Sequence, residues 1–293
     1  QRHPGGTVAN YWNISEGNYV TQNCNVSACQ YRSHVAEQPP LTFTPGKFMA
    51  GVGGLTPSSS AVIDVNLLTM SAEEAPAQID LLKAQGVDLQ RLELGNEFYI
   101  TRNYGWRFPN ATTYMQAALP TIARARQVFP NVKIAAVASR DSDTWNDQVA
   151  AFADHIDAVT VHDYTTPTSK SIANDMVRVV AWGEHQIAAL STYLGSKFPG
   201  KQLWGTEYNL GLKVGSESTT AAHAMFVAGR QLATVQRHSQ WAVLQLHAFL
   251  SQDGNGWDHS SGIVSVGNSN DNITAIRVGP VAQLFSHMAV SAM

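Results

Sequence analysis

Residues 92–99, LELGNEFY, decide the fold class and point to the function. Leucine and glutamate alternate at the start of the stretch, as they do in a buried strand, and Gly95 would end that strand. The predicted strand then finishes on an amide, a carboxylate and two aromatic side chains rather than on ordinary turn residues. The arrangement of the other elements along the chain explains this ending.

From residue 61 onward, strand-like runs alternate with helical patterns. Ser71 and Glu74 form a predicted capping box at the start of the first helix, and Gly86 follows its end. The predicted strands are 61–68, 89–95, 132–138, 156–161, 202–205 and 241–250, and the predicted helices are 71–85, 113–129, 144–155, 171–194, 219–237 and 279–290. These make six βα units with no internal repeat and no linker.

This alternation predicts a parallel sheet, either an open doubly wound sheet or a closed (β/α)8 TIM-type barrel. A doubly wound nucleotide-binding fold would carry a glycine-rich phosphate loop followed by a helix. Residues 51–54 (GVGG) run into Leu-Thr-Pro instead, and no such loop occurs. The barrel is therefore favoured, as a single domain over residues 1–293.

Composition excludes several classes of protein. With 14% charged residues, 19 Lys plus Arg and a net charge of −3, the chain lacks the basic cluster that nucleic acid or an anionic membrane would require. No apolar run approaches the roughly 20 residues of a membrane span. The first residue is Gln1 rather than a Met or a signal peptide, from which we expect a processed or trimmed start.

Two features indicate an oxidising, secreted environment. Cys24 and Cys29 lie five positions apart in a polar segment, where they would form a small loop-closing disulfide or remain as two free thiols. Four Asn-x-Ser/Thr triplets would accept glycans at the surface. Their asparagines are Asn13, Asn25, Asn110 and Asn272.

The chemistry of a barrel enzyme lies at the C-terminal ends of the strands, so those positions carry the candidate residues. They are Asn66, Asn96, Glu97, Ser139, Arg140, His162, Asp163, Tyr164, Glu207, Tyr208 and His247. Glu97 and Glu207 fall three strands apart, across the mouth of a barrel from each other. Two carboxylates that flank a bond are the equipment for glycoside hydrolysis. The strand at residues 92–99 would thus end on a catalytic acid.

At these residues the sequence resembles the clan A glycoside hydrolases, which are retaining enzymes on (β/α)8 barrels. Finer matches resemble glycoside hydrolase family 79, the family of heparanase and β-glucuronidases. Residues 2–12 (RHPGGTVANYW) resemble the segment that closes the family's second strand, and 65–69 (VNLLT) its third. Residues 93–99 (ELGNEFY) resemble its fourth strand, and 161–164 (VHDY) its sixth.

The resemblance implies roles for individual residues. Glu97 would be the proton donor and Glu207 the nucleophile, while Asn96 would bind the substrate 2-hydroxyl. Arg2 and Tyr164 would lie near Glu207 and keep it charged and oriented. His162 and Asn66 would line the sugar pocket. His247, at its own strand end, would either line the pocket or be a structural histidine, and the same alternative holds for His162. No cofactor is implied, because this chemistry uses carboxylates alone; the substrate would be a glycan that contains uronic acid.

Family members also carry a first strand and helix before residues 2–12, and a β-sandwich domain; neither is visible in the sequence. The predicted strands fall two short of the eight in a closed barrel. Three explanations are open. The chain is one piece of a longer or cleaved protein and a segment outside it supplies the missing strand, residues 19–48 replace that strand, or copies of the protein cap the open edges. The last would make the protein a catalytically silent, self-assembling or glycan-binding structural glycoprotein. The predicted partners are an oligo- or polysaccharide and a second chain or further copies.

Overall fold

The computed structural model divides the chain into two compact units. Unit 1 comprises residues 1–161 and 197–204, and unit 2 comprises 162–196 and 205–293. The residues that the structure describes are 2–3, 6–14, 18–19, 44–55, 61–165, 176–210, 226–230, 233–234, 238–246, 250–252, 264–269 and 272–278. The predicted helix at 279–290 lies outside these residues.

Twelve strands and six α-helices lie within the described residues. The strands are β1 Arg2–His3, β2 Trp12–Asn13, β3 Asn18–Tyr19, β4 Val62–Asp64, β5 Arg91–Glu93, β6 Lys133–Val137, β7 Ala158–Thr165, β8 Gln202–Leu210, β9 Trp241–Leu246, β10 Leu250–Gln252, β11 Val264–Ser269 and β12 Asn272–Val278. The helices are α1 Pro45–Leu55, α2 Glu74–Ala84, α3 Thr101–Tyr104, α4 Ala111–Val128, α5 Asp143–Ala150 and α6 Met176–Lys197. Two 3-10 turns occupy Gly6–Tyr11 and Ala153–His155. Residues 226–230 and 233–234 are also helical.

Unit 1 contains a parallel sheet in the order β1-β4-β5-β6, followed by the first residues of β7 and β8. The pairs β1–β4, β4–β5, β5–β6 and β6–β7 are all parallel. From β4 onward the order in the sheet is the order in the chain. Helices occupy the connections, which is the rule of a (β/α) barrel. The six parallel strands form a partial (β/α)8 barrel, so the predicted fold class is confirmed.

Unit 2 contains the C-terminal ends of β7 and β8, with β9 next to β8 in the sheet order. It also holds a separate three-stranded sheet, in which β10 and β11 are parallel and β11 and β12 antiparallel. The sequence pattern did not predict this second sheet. It indicated one strand over residues 241–250, whereas β9 ends at Leu246.

The predicted local signals that start and end helices are present in unit 1. The Ser71 backbone N–H donates to the Glu74 carboxylate at 2.8 Å, and the Glu74 N–H donates to the Ser71 hydroxyl at 3.1 Å. This is the reciprocal capping box. Gly86 follows helix α2 with a φ of 74°, a left-handed conformation that ends helices. Helix α4 begins two residues before its predicted start, because Asn110 caps it through Thr113 N–H.

Strand β4 is shorter than predicted, and Asn66 explains why. Its side-chain carbonyl accepts hydrogen bonds from the backbone N–H groups of Leu68 and Thr69, both at 3.0 Å. Such a side-chain turn withdraws those N–H groups from the sheet and ends the strand. Strand β8 is instead longer than predicted, since it continues to Leu210. Glu207 therefore lies within a strand rather than after one.

In the part of the chain that the structure describes, no helix combines the length and the apolar character needed to cross a membrane.

Candidate active site

The turn that carries Glu97 has an unusual backbone. Gly95 has a φ of 83° and Glu97 a φ of 53°. Glu97 is the one non-glycine residue in the described part of the chain with a positive φ. Residues with a Cβ avoid this left-handed region, so the surrounding structure must hold Glu97 there. Strained backbone of this kind is concentrated at functional sites.

Close packing explains the glycine at position 95. A Cβ built on Gly95 would lie 2.2 Å from Cε2 of the Phe98 ring, closer than carbon atoms can approach. Phe98 is fully buried and packs against the rings of Tyr104, Phe108 and Tyr114. The aromatic ring therefore passes directly over the glycine and anchors the turn to the core of unit 1.

Buried polar side chains hold the strand end before Glu97. The Gly95 N–H donates to Asp64 Oδ1 at 3.0 Å. The Asn10 side chain binds both backbone groups of Asn96: its Nδ2 donates to the Asn96 carbonyl at 2.8 Å, and its Oδ1 accepts the Asn96 N–H at 3.0 Å. A two-point clamp of this kind fixes the direction of the chain as it enters Glu97. The sequence pattern did not indicate Asn10 by itself, although residues 2–12 contain it.

The hydroxyl of Tyr114 joins two strands beneath the turn. It donates to the Leu94 carbonyl at 2.9 Å and accepts the Val137 N–H at 3.1 Å. Burial raises the pKa of this hydroxyl well above its ordinary value; the bond from Val137 lowers it, and the carboxylates of Glu93 and Asp64 raise it further. Tyr114 therefore remains a neutral hydrogen-bonding bridge at ordinary pH.

The Glu97 carboxylate is half-buried, and its Oε1 accepts a hydrogen bond from the Tyr99 hydroxyl at 3.0 Å. Tyr99 is also half-buried and lies two residues further along the chain. This local contact orients the carboxylate and leaves it partly exposed to solvent.

Asn66 is engaged within the protein. Besides its turn bonds, its Nδ2 donates to Thr69 Oγ1 at 2.7 Å and to the Trp12 carbonyl at 3.2 Å. Asn66 as a whole is 1% exposed. These bonds show that Asn66 orders the loop after β4; its contact with a sugar stays a prediction.

In unit 2, the structure brings two predicted site residues, Tyr164 and His162, next to Glu207. The Tyr164 hydroxyl donates to Glu207 Oε2 at 2.6 Å, and His162 Nδ1 lies 3.5 Å from the same oxygen. His162 Nε2 in turn lies 3.2 Å from Thr206 Oγ1. Glu207 and His162 are each 6% exposed. A buried carboxylate that accepts such a hydrogen bond is held in one orientation.

Gly205 permits close packing two residues before Glu207. A Cβ at this position would lie 2.8 Å from Cδ1 of Leu244 and 3.1 Å from Cζ3 of Trp241, both in β9. The absence of a side chain therefore lets β9 side chains lie against the β8 backbone, which helps to fix the strand that carries Glu207.

The structure places the remaining predicted residues as follows. Arg2 pairs with Val62 in the β1–β4 ladder, and its side chain lies outside the described residues. His247, Cys24, Cys29 and Asn25 also lie outside them. Asn13 is half-buried in β2, and Asn110 is half-buried with its Oδ1 capping α4. Asn272 is the first residue of β12.

Glu97 belongs to unit 1 and Glu207 to unit 2, so each carboxylate is characterised by its own surroundings.

Two comparisons with known sequences gave nothing: neither a family profile nor a curated protein matches the chain. Solved structures do share its fold. An α-L-arabinofuranosidase from Thermotoga maritima is 19% identical, with 97% of this chain and 59% of that chain covered and a TM-score of 0.68. A family 51 α-L-arabinofuranosidase from Bifidobacterium longum is 13% identical, with coverages of 99% and 63% and a TM-score of 0.68.

A third solved structure, a Paenibacillus polymyxa xyloglucanase of glycoside hydrolase family 44, is 10% identical, with coverages of 83% and 69% and a TM-score of 0.55. The chain spans about three fifths of the length of the two arabinofuranosidases. These likenesses show the fold of the chain, a (β/α) barrel that it shares with the three glycoside hydrolases.

Proposed function

We propose that this protein is a retaining glycoside hydrolase in which Glu207 is the nucleophile and Glu97 the proton donor. In the first step, the Glu207 carboxylate attacks the anomeric carbon while Glu97 protonates the leaving oxygen. In the second, Glu97 takes a proton from water, and the water releases the sugar from Glu207. In retaining enzymes generally, the two carboxyl groups lie about 5–5.5 Å apart.

The observation that carries this proposal is the short hydrogen bond from Tyr164 to Glu207. A nucleophile must be ionised and must present one oxygen in a fixed direction. The Tyr164 hydroxyl and the His162 ring approach the same oxygen, Oε2.

The environment of Glu97 supports a different role. A proton donor must exchange its proton with water once in each cycle, so it needs access to solvent. Glu97 is half-buried and lies at a strained turn, whereas Glu207 is almost fully buried. The proposed roles match this difference in exposure.

For the substrate, we propose a glycan that contains uronic acid, by the resemblance of residues 2–12, 65–69, 93–99 and 161–164 to family 79. The fold shared with two arabinofuranosidases supports an α-L-arabinofuranoside as the alternative within the same reaction class.

The test is hydrolysis of a panel of aryl glycosides that contains the β-D-glucuronide and the α-L-arabinofuranoside. We expect turnover of one of them by the wild type and a loss of roughly 10⁴-fold or more in Glu207→Gln, since removal of a nucleophile abolishes the covalent step. Glu73→Gln, an exposed change at the start of α2, is the matched control and should retain full activity. Equal rates in wild type and Glu207→Gln would refute the assignment.

The role of Glu97 has a separate test. Glu97→Gln should slow hydrolysis most for substrates with a poor leaving group, because those need the proton most. A rate loss that is independent of the leaving group would contradict the assignment of Glu97 as proton donor. An absence of turnover across the whole panel, with retained glycan binding, would favour the catalytically silent structural glycoprotein.

We also propose that the protein is secreted, with a Cys24–Cys29 disulfide and glycans on its Asn-x-Ser/Thr triplets. Mass spectrometry of protein from a eukaryotic secretory host tests this, with and without reduction and enzymatic deglycosylation. An unmodified, fully reduced chain in the medium would contradict the two modifications.

A further inference from the structure

The strand ends around Glu207 carry a second group of buried side chains on their other face. Successive residues of a strand point to opposite faces of the sheet. His162 and Tyr164 contact Glu207, so Asp163, between them, points to the opposite face. Tyr208, the residue after Glu207, does the same. Both contact one side chain, Arg230, in the helical stretch at residues 226–230.

Arg230 is fully buried. Its Nη1 donates to Asp163 Oδ2, and its guanidinium carbon lies 4.8 Å from the centre of the Tyr208 ring. Arg230 is 0% exposed and Asp163 is 1% exposed. The Nε and Nη2 atoms of Arg230 have no hydrogen-bond acceptor in the described part of the chain. Its described polar contacts are thus one carboxylate and one aromatic face, one from each of the two strands that build the Glu207 site.

The helical stretch itself is held close to helix α6. A Cβ built on Gly183 of α6 would lie 2.7 Å from the Phe226 carbonyl oxygen and 3.2 Å from the Arg230 nitrogen. Because only glycine permits this approach, the backbone that carries Arg230 has little freedom to move toward α6. Arg230 therefore links a fixed helical backbone to the ends of β7 and β8.

We propose that Arg230 is a positioning residue for the Glu207 site. Through Asp163 it fixes the end of β7, which presents Tyr164, and through Tyr208 it fixes the end of β8, which presents Glu207. The expected effect of Arg230 on the reaction rate rests on the proposed function as a glycoside hydrolase. A misplacement of about 1 Å can lower a rate roughly 10²-fold, so the loss of this link should reduce kcat without removing any group that touches substrate.

The principal test variant is Asp163→Asn with Arg230→Met, which removes both charges and leaves no buried carboxylate without its partner. We expect kcat to fall about 10-fold to 100-fold while KM stays within about twofold, since positioning affects the reacting atoms more than binding. Arg230→Lys keeps the charge but loses the planar stacking on Tyr208, so it should lie between the double variant and wild type. Thr234→Val is the matched control. The Thr234 hydroxyl donates to the Arg230 backbone carbonyl and has no bond to the Arg230 side chain among the described contacts, so the kcat of Thr234→Val should equal that of wild type.

Hydrogen–deuterium exchange gives a readout that does not depend on activity. Faster exchange confined to residues 162–164 and 206–208 in the folded double variant supports the positioning role. Unchanged exchange there, or unchanged kcat in folded protein, overturns it. If wild type hydrolyses no glycoside, the proposed function fails, and the exchange measurement alone decides the role of Arg230. If the double variant does not fold, Arg230→Lys decides it by the same two measurements.

Discussion

Glu97 lies in a left-handed turn of unit 1, whereas Glu207 lies within a strand of unit 2. The contact that orients Glu97 comes from Tyr99, two residues along the chain. The contact that orients Glu207 comes from Tyr164, which is 43 residues away. One carboxylate is thus oriented by local chain geometry and the other by the pairing of distant strands. We therefore expect substitutions near Glu97 to change mainly the backbone strain at the turn. Substitutions near Glu207 should change mainly the position of the reacting carboxylate.

The largest effect on the unit 1 turn is expected from Gly95→Ala. The new Cβ would combine left-handed strain with overpacking against Phe98, at a cost of roughly 2–6 kcal/mol in the free energy of unfolding. Gly86→Ala is the matched control, because Gly86 has a similar φ of 74° but no atom within 4 Å of the place that a Cβ would take. It should cost only about 1–2 kcal/mol. Urea denaturation measures both; equal losses would show that Phe98 does not constrain the turn.

Tyr164→Phe tests the unit 2 site. Removal of the donor to Glu207 should lower kcat by roughly 10-fold to 100-fold, because a hydrogen bond to a reacting carboxylate is lost. The free energy of unfolding should change by no more than about 1.5 kcal/mol. Steady-state kinetics and urea denaturation on the same preparation separate the two effects. A kcat equal to that of wild type would show that Tyr164 does not hold the reactive carboxylate.

Tyr114→Phe removes the bridge beneath the unit 1 turn. It should cost about 1–3 kcal/mol at neutral pH, because the buried Val137 N–H loses its acceptor. The free energy of unfolding of Tyr114→Phe should also depend on alkaline pH differently from that of wild type.

The sign of this pH dependence follows from the raised pKa of Tyr114 in the folded state, compared with 10.0 in the unfolded chain. The neutral hydroxyl is favoured by folding, so its contribution is complete below pH 10 and is lost as the pH rises above it, by about 1.4 kcal/mol per pH unit. Unfolding free energies of Tyr114→Phe should therefore fall less steeply above about pH 10 than those of wild type. Parallel curves would contradict a buried neutral hydroxyl.

Glu97→Asn should relieve strain at the turn. Asparagine tolerates left-handed backbone better than glutamate does, so the variant should gain about 1 kcal/mol in stability while it loses activity. Glu97→Gln keeps the longer side chain and should gain nothing. Thermal unfolding measures the pair, and equal melting temperatures would show that the turn at residue 97 stores no strain.

The smallest effect is expected from Tyr99→Phe. Its hydrogen bond to Glu97 is partly exposed, so its loss should change kcat by no more than about threefold and stability by about 0.5 kcal/mol. The comparison between the two carboxylates predicts that this loss is smaller than that of Tyr164→Phe. A larger loss would show that Glu97 depends on its local donor as strongly as Glu207 depends on its distant one.

Much of the fold of unit 1 was predictable because its signals are local. The alternation of strands and helices, the capping box at Ser71 and Glu74, and the stop at Gly86 each depend on residues within a few positions of one another. The same holds for the turn at Gly95 and Glu97. The length of β4 was not predictable, since it depends on the way in which Asn66 folds back on its own loop.

The candidate site was predicted in part. The predicted strand ends and the resemblance to a known family indicated Glu97, Glu207, His162 and Tyr164, although β7 and β8 extend beyond the last three of these residues. The clamp of Asn10 on Asn96 and the contacts of Arg230 could not be predicted. An asparagine in a loop and an arginine in an apolar helix give no sign of their partners. The signal in the sequence that could have indicated Arg230 is its position between the apolar residues 224–229 and 232–233.

The sequence by itself determined the class of fold, the helix ends of unit 1 and the chemical types of the candidate residues, since backbone preferences act over short distances along the chain. Only the tertiary structure decided that Tyr164 and His162 approach the same oxygen of Glu207, and that Asp163 and Tyr208 contact one arginine. Those contacts depend on the register of neighbouring strands and on the packing of helices against them. Both are set by burial of the whole core rather than by any short segment.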